Sequence, residues 1–89
     1  MANQETIINL DYPITDGHDN LIEKLTVRRA KVKDIRQMAR KKDEGEQEIF
    51  LLHLLTGVLP EDLDKLDLCD YEKLGECIKQ MKLGKRAKS

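Results

Sequence analysis

Hydrophobic and polar positions along this chain follow a two-residue period first and a three-to-four-residue period afterwards. From Thr6 to Ile14 they alternate, with Ile8, Leu10, Tyr12 and Ile14 on one face and Asn9 and Asp11 on the other, the pattern of a half-buried strand. Pro13 removes a backbone donor, so this strand ends there or lies at an edge. Asp16-Gly17 is a turn signal between Thr15 and Asn20. Leu21, Glu23, Leu25 and Val27 then share a face, with Leu25 and Val27 as its apolar anchors. The two runs predict a β-hairpin closed by a loop of about five or six residues. An isolated hairpin is marginal in water, so its apolar face must pack on something else.

From Ala30 the period lengthens. Val32, Ile35, Met38 and Ala39 mark one stripe of a helix running to about Lys42. Asp43 followed by Glu46 is a capping pair, and Glu44, Glu46 and Glu48 suit the positive end of a helix dipole. Ile49 to Leu55 is apolar nearly all round, which predicts the central, most buried helix, and Gly57 is its C-cap. Pro60 opens a short helix to Leu66. Asp67 caps a last helix from Leu68 to about Lys82, with the stripe Leu68, Tyr71, Leu74, Ile78 and Met81. The predicted fold class is α+β: an N-terminal β-hairpin followed by three to four helices in a single small domain over residues 1–82. Residues 83–89, with Lys85, Arg86 and Lys88, read as a basic, disordered tail.

Composition narrows the function. An 89-residue chain of 10.3 kDa buries only about 60–65% of the surface its unfolded form exposes. Its core is aliphatic, since aromatic residues make up 3% of the sequence. Few positions remain to build a pocket. No apolar run approaches the length of a bilayer span, and the polar start from Met1 to Glu5 does not resemble a signal peptide, so a cytosolic setting is expected. Cys69 and Cys77 fall on one predicted helix, about 12 Å apart, too far for a disulfide. They are expected to be free thiols, and acidic neighbours at Asp67, Asp70 and Glu72 disfavour a reactive thiolate at Cys69. His18 sits in a predicted turn and His53 in an apolar helix, and neither has the spacing of a zinc site. The only serine is Ser89, and no glycine-rich phosphate loop occurs. The expectation is no enzyme, no metal and no cofactor.

Net charge is −1, yet charge is segregated. Residues 28–42 hold eight bases (Arg28, Arg29, Lys31, Lys33, Arg36, Arg40, Lys41, Lys42) and one acid, Asp34. Residues 43–76 hold eleven acids and two bases. Three readings follow. The opposed segments can be complementary solvated faces within the fold or between copies. The basic strip 28–42 can serve a small nucleic-acid-binding regulator, although no aromatic residue lies there to stack on bases and the acidic segment follows directly. Or the patches attract a charged protein partner and set its register, which is the favoured reading.

A resemblance adds to this. Ile8-Asn9-Leu10-Asp11-Tyr12-Pro13-Ile14 resembles the opening strand of the small tail assembly chaperones of Mu-like and related contractile-tailed phages. Leu25-Thr26-Val27-Arg28-Arg29-Ala30-Lys31-Val32-Lys33-Asp34-Ile35 resembles that family's second strand and its lead into the first helix, with Ala30 where the family more often has Pro. Glu46-Gln47-Glu48-Ile49 with Leu51-Leu52 is similar to the central helix. Gly57 to Tyr71, with Pro60-Glu61-Asp62-Leu63, Leu66-Asp67-Leu68 and Asp70-Tyr71, is similar to the C-terminal signature, although Leu59 stands where the family usually has Thr or Ser. The likeness covers roughly residues 7–80.

What the resemblance implies is a role in binding: holding the tape measure protein soluble in the host cytoplasm before the tail tube polymerises, with the tail tube protein as a possible second partner. It brings no catalytic residues, and such a protein is not expected in the mature virion. A helical tape measure with exposed apolar stripes needs covering, and helix-in-groove contacts can cover it. The candidate contacts are the bases Arg28, Arg29, Lys33, Arg36 and Arg40 and the leucines Leu51, Leu55, Leu59 and Leu63. If the leucines exceed what the core needs, a homo-oligomer is a further expectation.

Overall fold

The computed structural model describes residues 5–83. The basic segment from Gly84 to Ser89 and the first four residues lie outside the described part. The element order is β1 (Thr6–Thr15), β2 (Leu21–Val27), α1 (Val32–Met38), α2 (Glu44–Thr56), α3 (Pro60–Leu63) and α4 (Leu68–Leu83). β1 and β2 form an antiparallel hairpin, and the helices follow it, so the α+β expectation holds.

The hairpin turns on Asp16. Its carboxylate accepts hydrogen bonds from the backbone N–H groups of His18 (2.8 Å) and Asn20 (3.0 Å). Asp19 adopts a left-handed φ of 65°, a conformation short polar side chains tolerate. The pairing runs regularly from Thr6↔Val27 to Asn9↔Lys24 and resumes at Ile14↔Ile22. Leu10 to Pro13 on β1 therefore face Glu23 alone on β2. This bulge resets which side chains of β2 point inward. Tyr12, expected on the apolar face, is exposed, while Leu10 and Ile14 stay buried. On β2 the inner set switches from Val27 and Leu25 to Ile22, and Leu21 is left exposed.

The core joins Leu10, Ile14, Leu25 and Val27 of the hairpin to Leu51, Leu52 and Leu55 of α2, Leu63 of α3, and Leu74 and Ile78 of α4. α2 is capped as its sequence predicts. The Asp43 carboxylate accepts from the Glu46 N–H at 3.1 Å, and Gly57 ends the helix at φ 80°. Asp67 opens α4 through the N–H of Cys69. α1 is shorter than its periodicity suggests and stops at Met38 instead of near Lys42. The next N–H groups, of Arg40 and Lys41, bond three residues back to Gln37 and Met38. That tightening ends the helix, because Asp43 must be extended to cap α2. α3 likewise ends at Leu63, not Leu66, and the N–H groups of Lys65 and Leu66 close a tight turn.

α1 is also rolled differently from expectation. Asp34 and Met38, four residues apart, turn inward, while Val32 and Ile35 turn out and are 76% and 39% exposed. Ala39, placed on the inner stripe by its spacing, is exposed as well. On α4 the inward stripe is Asp70, Leu74 and Ile78, and Leu68 faces solvent.

Candidate functional site

Three aspartates are buried: Asp34, Asp62 and Asp70. Each ties elements together. Asp70 on α4 accepts from the N–H of Asp11 at 2.8 Å and of Tyr12 at 3.0 Å. These are the donors that the β1 bulge leaves without strand partners, so a side chain completes what the ladder cannot. Lys73, one turn on, donates to the Asn9 carbonyl at 2.8 Å and to Asp11 at 3.0 Å. It also pairs with Asp70 at 3.3 Å. Burial pushes the Asp70 carboxyl up, but the two N–H donors and Lys73 outweigh it and hold the group below its ordinary value.

Asp34 is gripped by Arg28 through two parallel bonds of 2.9 and 2.8 Å and accepts from the Lys31 N–H at 2.9 Å. The Arg28 guanidinium, acting against burial, holds the Asp34 carboxyl at about 2. Asp62 pairs with Lys65 at 3.1 Å, and Lys65 also reaches the Thr15 carbonyl at 2.8 Å, strapping α3 to the hairpin end. Arg29 donates to the Met81 carbonyl at 3.1 Å, a cation on the negative end of α4.

These bonds redistribute the candidate contacts. Arg28 and Arg29 are committed within the fold. Lys33, Arg36 and Arg40 are exposed and make no ion pair among the described residues. Leu51, Leu55 and Leu63 are core side chains, and of these only Leu51 reaches a surface groove. Leu59 alone of the four leucines is exposed. The apolar surface that sequence reasoning missed lies instead on Val32 and Ile35. Their spacing fits an inner stripe, but a helix of seven residues cannot turn both that stripe and Asp34 inward.

A shallow apolar groove of about 180 Å³ runs between the start of α1 and the end of α4. Ala30, Val32, Ile35, Leu51, Ile78 and Met81 line it, and its charged rim is Lys31 and Lys82. A neighbouring cleft between α2 and α4 carries mixed charge, with Glu44 and Glu48 facing Lys79 and Lys82.

For a metal, the nearest cluster is Asp11, Cys69 and Asp70, whose ligand atoms lie within 4.8 Å of one another. Its carboxylates already serve two backbone N–H groups and Lys73, whose ammonium supplies the local positive charge. The hydrogen bond with Asp67, burial and the surrounding Asp70, Asp67 and Asp11 push the Cys69 thiol up to about 11. Cys77 is raised by burial, and both thiols are free. His53 is bound to the Val58 carbonyl through Nδ1 at 2.9 Å. Tyr71 donates to Glu48, and burial together with that carboxylate raises the phenol above its usual range.

The site is therefore a surface and not a pocket, and comparison with known proteins says what kind of protein carries it. Residues 7–82 match the family model described as phage tail assembly chaperone proteins, E, or 41 or 14. The chain belongs to this family. Neither the curated proteins nor the solved structures compared with it give a match. The matched span runs from β1 through α4, so the bulge clamp, the Arg28–Asp34 pair and the α1–α4 groove all belong to the chaperone domain. Among the described residues, no helix of this tail assembly chaperone is long and apolar enough to cross a membrane.

Proposed function

We propose that this tail assembly chaperone binds the tape measure protein in the host cytoplasm and keeps it soluble until the tail tube polymerises around it. The role is one of binding, without catalysis, and the chaperone is released before the virion matures. The observation that carries the reading is the family match over residues 7–82. The exposed aliphatic side chains Val32, Ile35, Leu59, Leu68 and Leu83 on an otherwise charged surface support it, since a chaperone for a helical client needs apolar surface held ready outside its core.

The test is coexpression. The tape measure protein of the same phage, produced alone, is expected to sediment with the insoluble fraction. Produced with this chain, it is expected to stay soluble and to copurify in a fixed ratio. A tape measure that is equally insoluble with the chain present, and does not copurify, would refute the proposal.

A further inference from the structure

The charge around the α1–α4 groove selects the chemistry of what it binds. Burial of Asp34 beneath Arg28 removes the one negative charge of residues 28–42 from the surface. What remains exposed on α1 is Val32 and Ile35 flanked by Lys31, Lys33 and Arg36. Across the groove, α4 adds Met81 and Lys82. Both charged side chains on the rim are lysines, and neither makes an ion pair among the described residues. The walls come from α1, α4, Leu51 of α2 and the lead-in residues Ala30 and Lys31, with no strand residue among them to extend a ladder. An occupant must therefore satisfy its own backbone and offer side chains only, as a helix does. The chain's own residues after Leu83 do not fit by charge, since Lys85, Arg86 and Lys88 carry the same sign as the rim.

We infer that the α1–α4 groove receives an amphipathic helix of the tail-protein client, seating its apolar stripe on Val32, Ile35 and Met81 and its flanking carboxylates on Lys31 and Lys82. This rests on the proposed client-binding role and names the surface and the client chemistry. It also accounts for the exposure of two aliphatic residues that a core would otherwise take.

Two measurements test it. In the first, Val32→Asp/Ile35→Asp and Lys31→Glu/Lys82→Glu chains are coexpressed with the tape measure protein beside Leu68→Asp as a control on another exposed leucine. Folding is checked by circular dichroism, which these exposed positions should leave unchanged. Both groove variants should lose client affinity about tenfold or more, and the control should not. In the second, a designed amphipathic helix with a leucine stripe flanked by Glu is titrated against the full chain by fluorescence anisotropy, beside its Lys-flanked twin. The Glu helix should bind, the Lys helix should not, and Lys31→Glu/Lys82→Glu should reverse the preference.

Groove variants that hold the client as tightly as the parent chain would overturn the inference while leaving the client-binding role intact. A parent chain that captures no client but discriminates the two peptides would do the reverse. If Val32→Asp/Ile35→Asp instead lowers the chain's own mass by light scattering without weakening client capture, a second copy occupies the groove and the inference fails.

Discussion

Asp70→Asn removes one negative charge from the interior and changes almost nothing else in volume. The Asp70 carboxylate is fully buried and accepts two backbone N–H groups from the β1 bulge, at 2.8 and 3.0 Å. An amide offers one acceptor oxygen to those two donors and turns an NH2 group toward the other. A hydrogen bond to a charged acceptor contributes about 1.5–3 kcal/mol. Asp11 and Tyr12 are themselves exposed, so the lower part of that range applies to each bond. The expected loss is about 2–3 kcal/mol, or about 10–20 °C in melting temperature for a domain of this size. The chain has no tryptophan, so urea and thermal unfolding are best followed by far-UV circular dichroism. The variant should also flatten the acid limb of the stability curve. The native carboxyl sits below its ordinary value, so its contribution is complete above that value and is lost as pH falls through the native one. Lys73→Ala should cost less than Asp70→Asn, because the ammonium is partly exposed and its removal leaves no buried donor unpaired. An Asp70→Asn protein within about 0.5 kcal/mol of the parent would mean that packing of Leu10 and Ile14 holds the bulge and the clamp contributes little.

Asp34 makes a second acid-sensitive contribution. Its carboxyl is held at about 2 against an ordinary 3.8, which corresponds to about 2 kcal/mol at neutral pH, reduced to about 1–2 by the partial exposure of Arg28. That stability should be full above pH 4 or so and disappear as pH falls toward 2, and Arg28→Ala should remove most of it in a urea titration at pH 7. Gly57→Ala places a side chain at φ 80° where no atom stands in the way. Its cost is backbone strain alone, about 1 kcal/mol by the same urea titration.

Much of the fold can be read from local signals. Asp43 and Gly57 bracket α2 because a carboxylate and a left-handed glycine are cheap local solutions for unpaired helix ends. Asp67, Pro60 and the Asp16-Gly17 turn act within a few residues of themselves, and their roles follow from spacing. What the pattern does not carry is anything decided between distant elements. The bulge at Leu10–Pro13 is bonded to Asp70 and Lys73, about sixty positions away, and Tyr12 within it and Leu21 beyond it are exposed. Pro13 hinted at an interrupted ladder, but nothing nearby says what would accept the freed donors. The candidate surface was half legible for the same reason. The basic character of residues 28–42 is local and survives. Which leucines are core depends on how α2, α3 and α4 meet, and that removes Leu55 and Leu63 from the contact set and leaves Leu51 only as a lining residue of the groove.

The roll of α1 has a physical cause that bears on function. A stripe of Val32, Ile35, Met38 and Ala39 would bury four apolar side chains in a helix of the length first expected. In the structure, α1 is two turns long and Asp34 faces in. Burying a carboxylate is unfavourable unless its charge and lone pairs are met, and Arg28 and the Lys31 N–H meet them. The inward face of α1 is thus taken by an ion pair between the end of β2 and the start of the helix, and the aliphatic face is pushed to the surface. The buried aspartate thereby fixes the presentation of the surface proposed for the client. The ion pair adds only a modest stability, and its larger consequence is that two aliphatic side chains remain outside the core beside a rim of lysines.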